Sequence, residues 1–336
     1  MCWVSNNNEM IMIKDGRNIF PKTTISNNMR RVLFIGGAGF IGSNLITKLC
    51  KKHEIHVCEP AGAYVKRLDG LDVNVHQCSL KDIQAIGKII NDYHIDVVVH
   101  LVSTLIPGSS YEDYKNEYKN MIFPSIELME ICAEKGVKFI YFSSGGTIYG
   151  NRNDVLPFVE EDPMAPISYY GWSKQMMENS ILFMHRTKRL DYLIVRPSNP
   201  YGHGQNLYGK QGLVAVAIGK ILKGEPVEVW GDGSAVRDYI YIDDLGEVFR
   251  QLIEKDVKNT TLNIGSGRGY SVNDVLAFLK IASQKDFKIV YQNPRPVDVS
   301  NMVLDLSNLN QYVDAEFTPF MDGIKTFYEE SVKENR

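Results

Sequence analysis

The segment Ser168-Tyr169-Tyr170-Gly171-Trp172-Ser173-Lys174 sets a phenol and an amine four residues apart. On a helix that spacing puts Tyr170 and Lys174 on one face. A tyrosine with a pKa of about 10 is a poor base at neutral pH. A neighbouring ammonium favours the phenolate and lowers that pKa. The pair therefore reads as an acid/base group that takes a proton from a substrate hydroxyl and returns it. Taken alone, a Tyr-x-x-x-Lys spacing is common by chance, so its context has to carry the reading.

That context is a glycine turn. Gly36-Gly37-Ala38-Gly39-Phe40-Ile41-Gly42 follows an apolar run at 31–35 and opens a helical stretch reaching about residue 51. Gly36 permits the tight turn, Gly39 lets the backbone approach a pyrophosphate, and Gly42 lets the helix pack close to the strand. The helix N-terminus adds amide donors and partial positive charge for the phosphates. Glu59 ends the next apolar run. A carboxylate there accepts hydrogen bonds from the adenosine ribose and repels a 2′-phosphate, which selects NAD over NADP. A nicotinamide cation beside Tyr170 would favour its phenolate further.

With these motifs the chain resembles the extended short-chain dehydrogenase/reductase superfamily, specifically its NAD-dependent epimerase/dehydratase family, and within it the sugar-nucleotide epimerases. The resemblance spans residues 31–310. It rests on an ordered set: GGAGFIG at 36–42, DVVVHLVS at 96–103, FSSGGTIYG at 142–150, YYGWSK at 169–174, RPSNPYG at 196–202, GDGSAVRDYIYIDD at 231–244, NIGSG at 263–267 and PRPVDV at 294–299. The resemblance implies that Ser79 and Leu80 meet the adenine, with Ser in place of the usual Asp. It further implies that Leu101, Val102 and Ser103 line NAD and that Asn120 lies near the active site. Phe40, Ile41, Ser143 and Pro197 fall to the cofactor's surroundings. Asn199 matches a residue that holds the sugar nucleotide, Arg237 and Arg295 match two arginines that grip its diphosphate, and Asp298 matches an acid near the nucleotide ribose. Met302 falls where relatives limit the width of the sugar pocket. An arginine in a Gly/Asp turn and another between prolines are rigid presentations of guanidinium to phosphate.

One departure bears on the reaction. The family usually carries Ser or Thr, or Thr followed by acids, where this chain has Gly145-Gly146. Without those acids, elimination of water by a 4,6-dehydratase and decarboxylation are disfavoured, which leaves oxidation and reduction at one carbon. The expected activity is C4 epimerisation of a nucleotide-activated hexose or N-acetylhexosamine through a 4-keto intermediate, serving surface polysaccharide synthesis. A 4-keto-sugar reductase and a non-catalytic NAD sensor are the alternatives. Thr147, two residues beyond Gly145, shares its side if the strand continues, so it is expected to replace the missing hydroxyl, with Ser144 in reserve.

The elements that must position these groups alternate regularly. Strand-like runs at 31–35, 55–59, 73–77, 95–102, 138–143 and 192–196 are separated by helical stretches. This pattern predicts an α/β fold, a doubly wound parallel Rossmann sheet. Beyond about 201, glycines and prolines cluster and short helices at 213–223, 243–254 and 271–283 alternate with brief strands. The expected division is a Rossmann domain over 30–201, with 238–262 returning to it, and a smaller C-terminal substrate-binding lobe from 202–237 and 263–336. The polar, Asn-rich residues 1–29 read as a disordered extension. The helix expected over 169–185 carries Met176, Met177, Ile181, Leu182, Phe183 and Met184 on more than one stripe, as a homodimer helix would. A net charge of −3 offers no footprint for nucleic acid, and no apolar run nears the roughly 20 residues of a membrane span. Five cysteines without CxxC spacing suit neither a metal site nor a disulfide framework, and read as reduced thiols in the cytoplasm.

Overall fold

The structure is a computed structural model that describes residues 2–6, 9–14, 17–18, 29–152, 156–294 and 299–335. In the stretch read as a disordered extension, the backbone is paired. β1 (Cys2–Asn6) runs antiparallel to β2 (Glu9–Lys14), and β2 to β3 (Arg17–Asn18).

The main body is a parallel sheet of seven strands: β4 (Arg31–Ile35), β5 (Glu54–Glu59), β6 (Asn74–Gln77), β7 (Val97–His100), β8 (Lys138–Phe142), β9 (Tyr192–Pro197) and β13 (Thr260–Ile264). Their spatial order is β13-β9-β8-β7-β4-β5-β6, every neighbouring pair parallel. The order reverses between β4 and β7, and ligands of open α/β sheets bind at the carboxyl end of such a switch point. Both faces of the sheet's centre are covered, so its central strands are largely apolar: Val97 to Val99, Phe139 to Tyr141 and Leu193 to Val195 are all buried, while the edge strand β6 is mostly exposed. One face packs α1 (Phe40–Leu49) and α7 (Ile242–Glu254). The other packs α2 (Ile83–Asp92), α4 (Phe123–Lys135) and α5 (Tyr169–Lys188). α3 (Tyr111–Glu117) leads into α4 through a π-helical turn, Tyr118–Ile122.

A smaller lobe lies C-terminal. β12 (Val236–Tyr241) pairs with β10 (Asn199–Tyr201), β14 (Gly269–Ser271) and β16 (Asn301–Met302), while β11 (Val227–Trp230) pairs with β15 (Ile289–Gln292). α6 (Leu213–Lys223), α8 (Val272–Ser283) and α9 (Phe320–Glu334) close its core around Phe320 and Phe327. Of the return expected over 238–262, α7 and β13 belong to the large sheet, and β12 belongs to the lobe. Among the described residues no helix is long and apolar enough to cross a membrane.

One reading is corrected. Cys58 and Cys78 form a disulfide, with Cα atoms 5.4 Å apart, so the thiols are not all unpaired. The pair is 20 residues apart in sequence. Parallel strands β5 and β6 bring it together, which no local spacing could announce.

Candidate active site

The glycine turn joins β4 to α1 at the carboxyl edge of the sheet. Gly36 has φ +81°, and a Cβ on it would sit 2.7 Å from Val102 Cγ2, so both conformation and contact require glycine. A Cβ on Gly42 would overlap the Gly37 backbone. Gly39 is open, with Gly36 O the nearest atom to such a Cβ at 3.6 Å. It also N-caps α1 with no side-chain cap, so no side chain competes for the first amides of the helix. Phe40 and Ile41, in the first turn, are part-buried. Glu59 Oε1 accepts from the Ala38 amide at 2.7 Å, which pins the carboxylate against the turn. Burial raises its pKa, and the Ala38 amide opposes that rise. An open glycine face, an uncapped helix and an anchored acid fit the pyrophosphate and ribose of NAD.

The acid/base pair sits on α5. Ser168 caps this helix, its Oγ accepting from Gly171 N at 3.1 Å, which sets Tyr170 in the first turn and Lys174 one turn later. Lys174 is 3% exposed and its Nζ donates to Phe142 O at 2.9 Å, with Nζ 5.6 Å from the centre of the Tyr170 ring. Burial lowers its pKa to about 8, against the attraction of Glu117 and Glu178. Tyr170 is part-buried. Dense packing raises its pKa, and a hydrogen bond from Ser144 counteracts that rise by favouring the phenolate.

Of the two hydroxyls expected here, that of Ser144 is the one set against the Tyr170 phenol. Thr147 Oγ1 is buried without a partner among the described residues. The alternation argument fails because the chain stops being extended: the amides of Thr147 and Ile148 both bond Ser144 O, at 3.4 and 3.2 Å, so 144–148 curls into a turn. A Cβ on Gly145 would lie 2.7 Å from Leu304 Cδ1 and 3.0 Å from Arg196 O, so this position is closely packed.

A family model for the NAD dependent epimerase/dehydratase family matches residues 32–265. The chain belongs to this family. Its NAD-binding half and its cofactor follow from that membership, together with the turn geometry above. A dTDP-4-dehydro-6-deoxyglucose reductase of Escherichia coli is 30% identical over 282 residues, 82% of this chain and 89% of the relative. The crystal structure of a UDP-glucose 4-epimerase from Thermotoga maritima with UDP-glucose superposes with a TM-score of 0.85 at 33% identity, over 91% of this chain and 100% of that one. The UDP-glucose 4-epimerase of Thermus thermophilus in complex with NAD gives 0.81 at 28% identity, over 89% and 98%.

As a member of the epimerase/dehydratase family, the chain brings most of the expected cofactor residues to one edge. Leu101 N bonds Ile35 O at 3.1 Å, Val102 covers Gly36, and Ser103 follows at the mouth of β7. Ser79 accepts from Lys81 N at 3.3 Å beside buried Leu80. Ser143 and Pro197 are buried at the ends of β8 and β9, and Pro197 O accepts from Gly145 N at 2.8 Å. Asn199 lies against Gly146, its amide donating to Asp238 O at 2.8 Å. Arg237 stands on β12 opposite Met302, which is fully buried. Arg295 and Asp298 lie outside the described residues. Asn120 is part-buried on the π-helical turn. Its side chain donates to Asn116 O at 2.8 Å on its own helix. The group that faces the couple from this segment is Glu117, one helical turn earlier and 1% exposed. Sequence reasoning missed it because a Glu within Tyr-Glu-Asp-Tyr-Lys-Asn-Glu reads as a solvated face.

Proposed function

We propose that the chain epimerises the C4 hydroxyl of a UDP-hexose or UDP-N-acetylhexosamine. The observation that carries this reading is a Tyr170–Lys174 couple tuned by Ser144, in a site whose 145–146 wall is glycine. Tyr170 Oη takes the proton from the sugar hydroxyl, with Ser144 donating to the phenolate and Lys174 holding positive charge behind it. NAD, when bound, supplies a reversible two-electron acceptor for the carbon. After the keto sugar has turned over, Tyr170 Oη returns the proton on the other face. Arg237 and Asn199 would hold the nucleotide and leave the hexose loosely held, and Arg295 and Asp298 are proposed for the same role. The bare 145–146 wall offers no carboxyl group for elimination of water, which separates this reading from the dehydratase branch.

A second reading, a 4-keto-sugar reductase, is favoured by the similarity to the E. coli reductase. The two differ in stoichiometry. Incubation with UDP-glucose and with UDP-N-acetylglucosamine, followed by NMR of the sugar, should show the C4 epimer accumulate with no added cofactor consumed. No epimer from either UDP sugar, together with oxidation of one NAD(P)H per molecule of dTDP-4-dehydro-6-deoxyglucose reduced when that keto sugar is supplied, would establish the reductase instead.

The subunit arrangement we propose is a homodimer through α4 and α5. Met177, Ile181 and Met184 of α5 face the sheet, yet Phe123, Trp172 and Phe183 remain 53%, 44% and 53% exposed. Light scattering that gives the mass of a single chain would refute it.

A further inference from the structure

Glu117 is a buried carboxylate that the reaction above does not use. Its Oε1 accepts from Ser103 Oγ at 3.1 Å, and both its oxygens accept from Thr104 N, at 3.3 and 3.1 Å. Thr104 Oγ1 donates to Oε2 as well. All of these donors are neutral, so they solvate the charge without cancelling it. The other buried acid acting on the couple, Glu178, is cancelled by Arg196 at 2.6 Å. Glu117 is also the last residue of α3, directly before the π-helical turn Tyr118–Ile122. Widened turns of this kind recur at functional sites.

We propose that Glu117 is a positioning residue, which clasps the Ser103–Thr104 turn at the cofactor edge and supplies the counter-charge that keeps Lys174 an ammonium. The inference rests on the acid/base role proposed for Tyr170. An isolated ammonium is costly to bury, and the Lys174 amine has only the Phe142 carbonyl as a described hydrogen-bond partner. The groups facing the couple are Tyr141 on β8, Ser144 after it, Glu178 on α5, His100 on β7 and Glu117 on α3. His100 is held neutral, with a pKa lowered to about 3 by burial and by Lys174. Glu117 thus stands as the uncompensated anion of this set. It raises the proton affinity of both Lys174 and Tyr170. Removing its charge lowers both, and the apparent pKa values of the couple fall together.

The test uses Glu117→Gln, which keeps an acceptor for Thr104 but no charge, in the NAD-bound protein. The tyrosinate ultraviolet absorbance is titrated against pH, with Tyr170→Phe subtracted as background, and kcat is profiled with UDP-glucose. The phenol titration and the acidic limb of kcat should both move to lower pH by about one pH unit, the size expected of one nearby charge in a protein interior. Glu117→Asp keeps the charge but shortens the clasp, so it should hold the wild-type titration while kcat drops several-fold. A folded, NAD-loaded Glu117→Gln protein with the wild-type titration overturns the proposal. If that variant does not fold, a Glu117→Asp titration displaced from wild type overturns it instead. Should the wild-type protein turn over no sugar nucleotide, the functional reading fails on its own, and the phenol titration still decides the role of Glu117.

Discussion

Replacing Ser144 with alanine removes the hydroxyl that favours the Tyr170 phenolate. In the folded protein, dense packing raises the Tyr170 pKa and the Ser144 hydrogen bond pulls it back. A hydrogen bond to a charged group is worth roughly 1.5–3 kcal/mol, and one pKa unit corresponds to about 1.4 kcal/mol. Loss of Ser144 should therefore raise the Tyr170 pKa by about one to two units. In the proposed reaction the working form is the phenolate, which is lost as pH falls below that pKa, so a raised pKa moves the acidic limb of kcat to higher pH. At neutral pH, on that limb, kcat should fall by roughly 10–100-fold and recover as the pH is raised. The assay is a pH series of initial rates with the sugar nucleotide saturating, alongside Thr147→Val as a control. Because Thr147 Oγ1 bonds nothing among the described residues, that control should stay near the wild-type profile. An unmoved acidic limb in Ser144→Ala, or a shifted one in Thr147→Val, would refute the assignment.

Other expectations follow from neighbouring contacts. Tyr170→Phe should bind NAD and nucleotide sugar yet lose about 10²–10⁴-fold in turnover; near-normal kcat would make Tyr170 structural. Gly145→Ser should not restore a catalytic hydroxyl. Its Cβ meets Leu304 and the Arg196 carbonyl, so thermal denaturation should show a lowered Tm, and an unchanged Tm with enhanced turnover would contradict the packing. Protein purified without added cofactor should carry NAD(H), and Glu59→Ala should narrow the preference for NAD over NADP in calorimetry. Equal binding of both cofactors by the wild-type chain would dismiss the role of Glu59. Arg237→Ala should weaken UDP binding by roughly 10–100-fold, the range of a charge-assisted contact, with NAD content unchanged; unaltered UDP affinity would remove it from the site.

The centre of the large sheet was legible because its strands are covered on both faces, so β4, β7, β8 and β9 read as short apolar runs. The glycine turn and the Tyr170–Lys174 pair were legible for a related reason: each depends on spacing within one element, and a regular element preserves spacing. The disulfide between Cys58 and Cys78 depends instead on the crossover between β5 and β6, which only the fold displays. β13 went unnoticed as a sheet strand because Asn263 and Ile264 run straight into the glycines of the NIGSG motif.

The site divides along the same line. Alternation along a strand pointed to Thr147, and it would have held had β8 continued past Phe142. Two consecutive glycines let 144–148 curl instead, so alternation no longer fixes which side each hydroxyl takes. Glu117 lay further from view, since nothing distinguishes it in sequence from the exposed Glu112 of the same helix. What separates them is the π-helical turn after Glu117 and the neutral donors of Ser103 and Thr104, which make room for a charge where solvent is excluded. The Ser144 hydroxyl and the buried anion at Glu117 pull on the same phenol in opposite senses: Ser144 favours its ionised form and Glu117 opposes it. The double variant Ser144→Ala with Glu117→Gln should accordingly bring the acidic limb of kcat back towards its wild-type position. A limb displaced as far as in Ser144→Ala alone would show that the two groups do not act on one titrating centre.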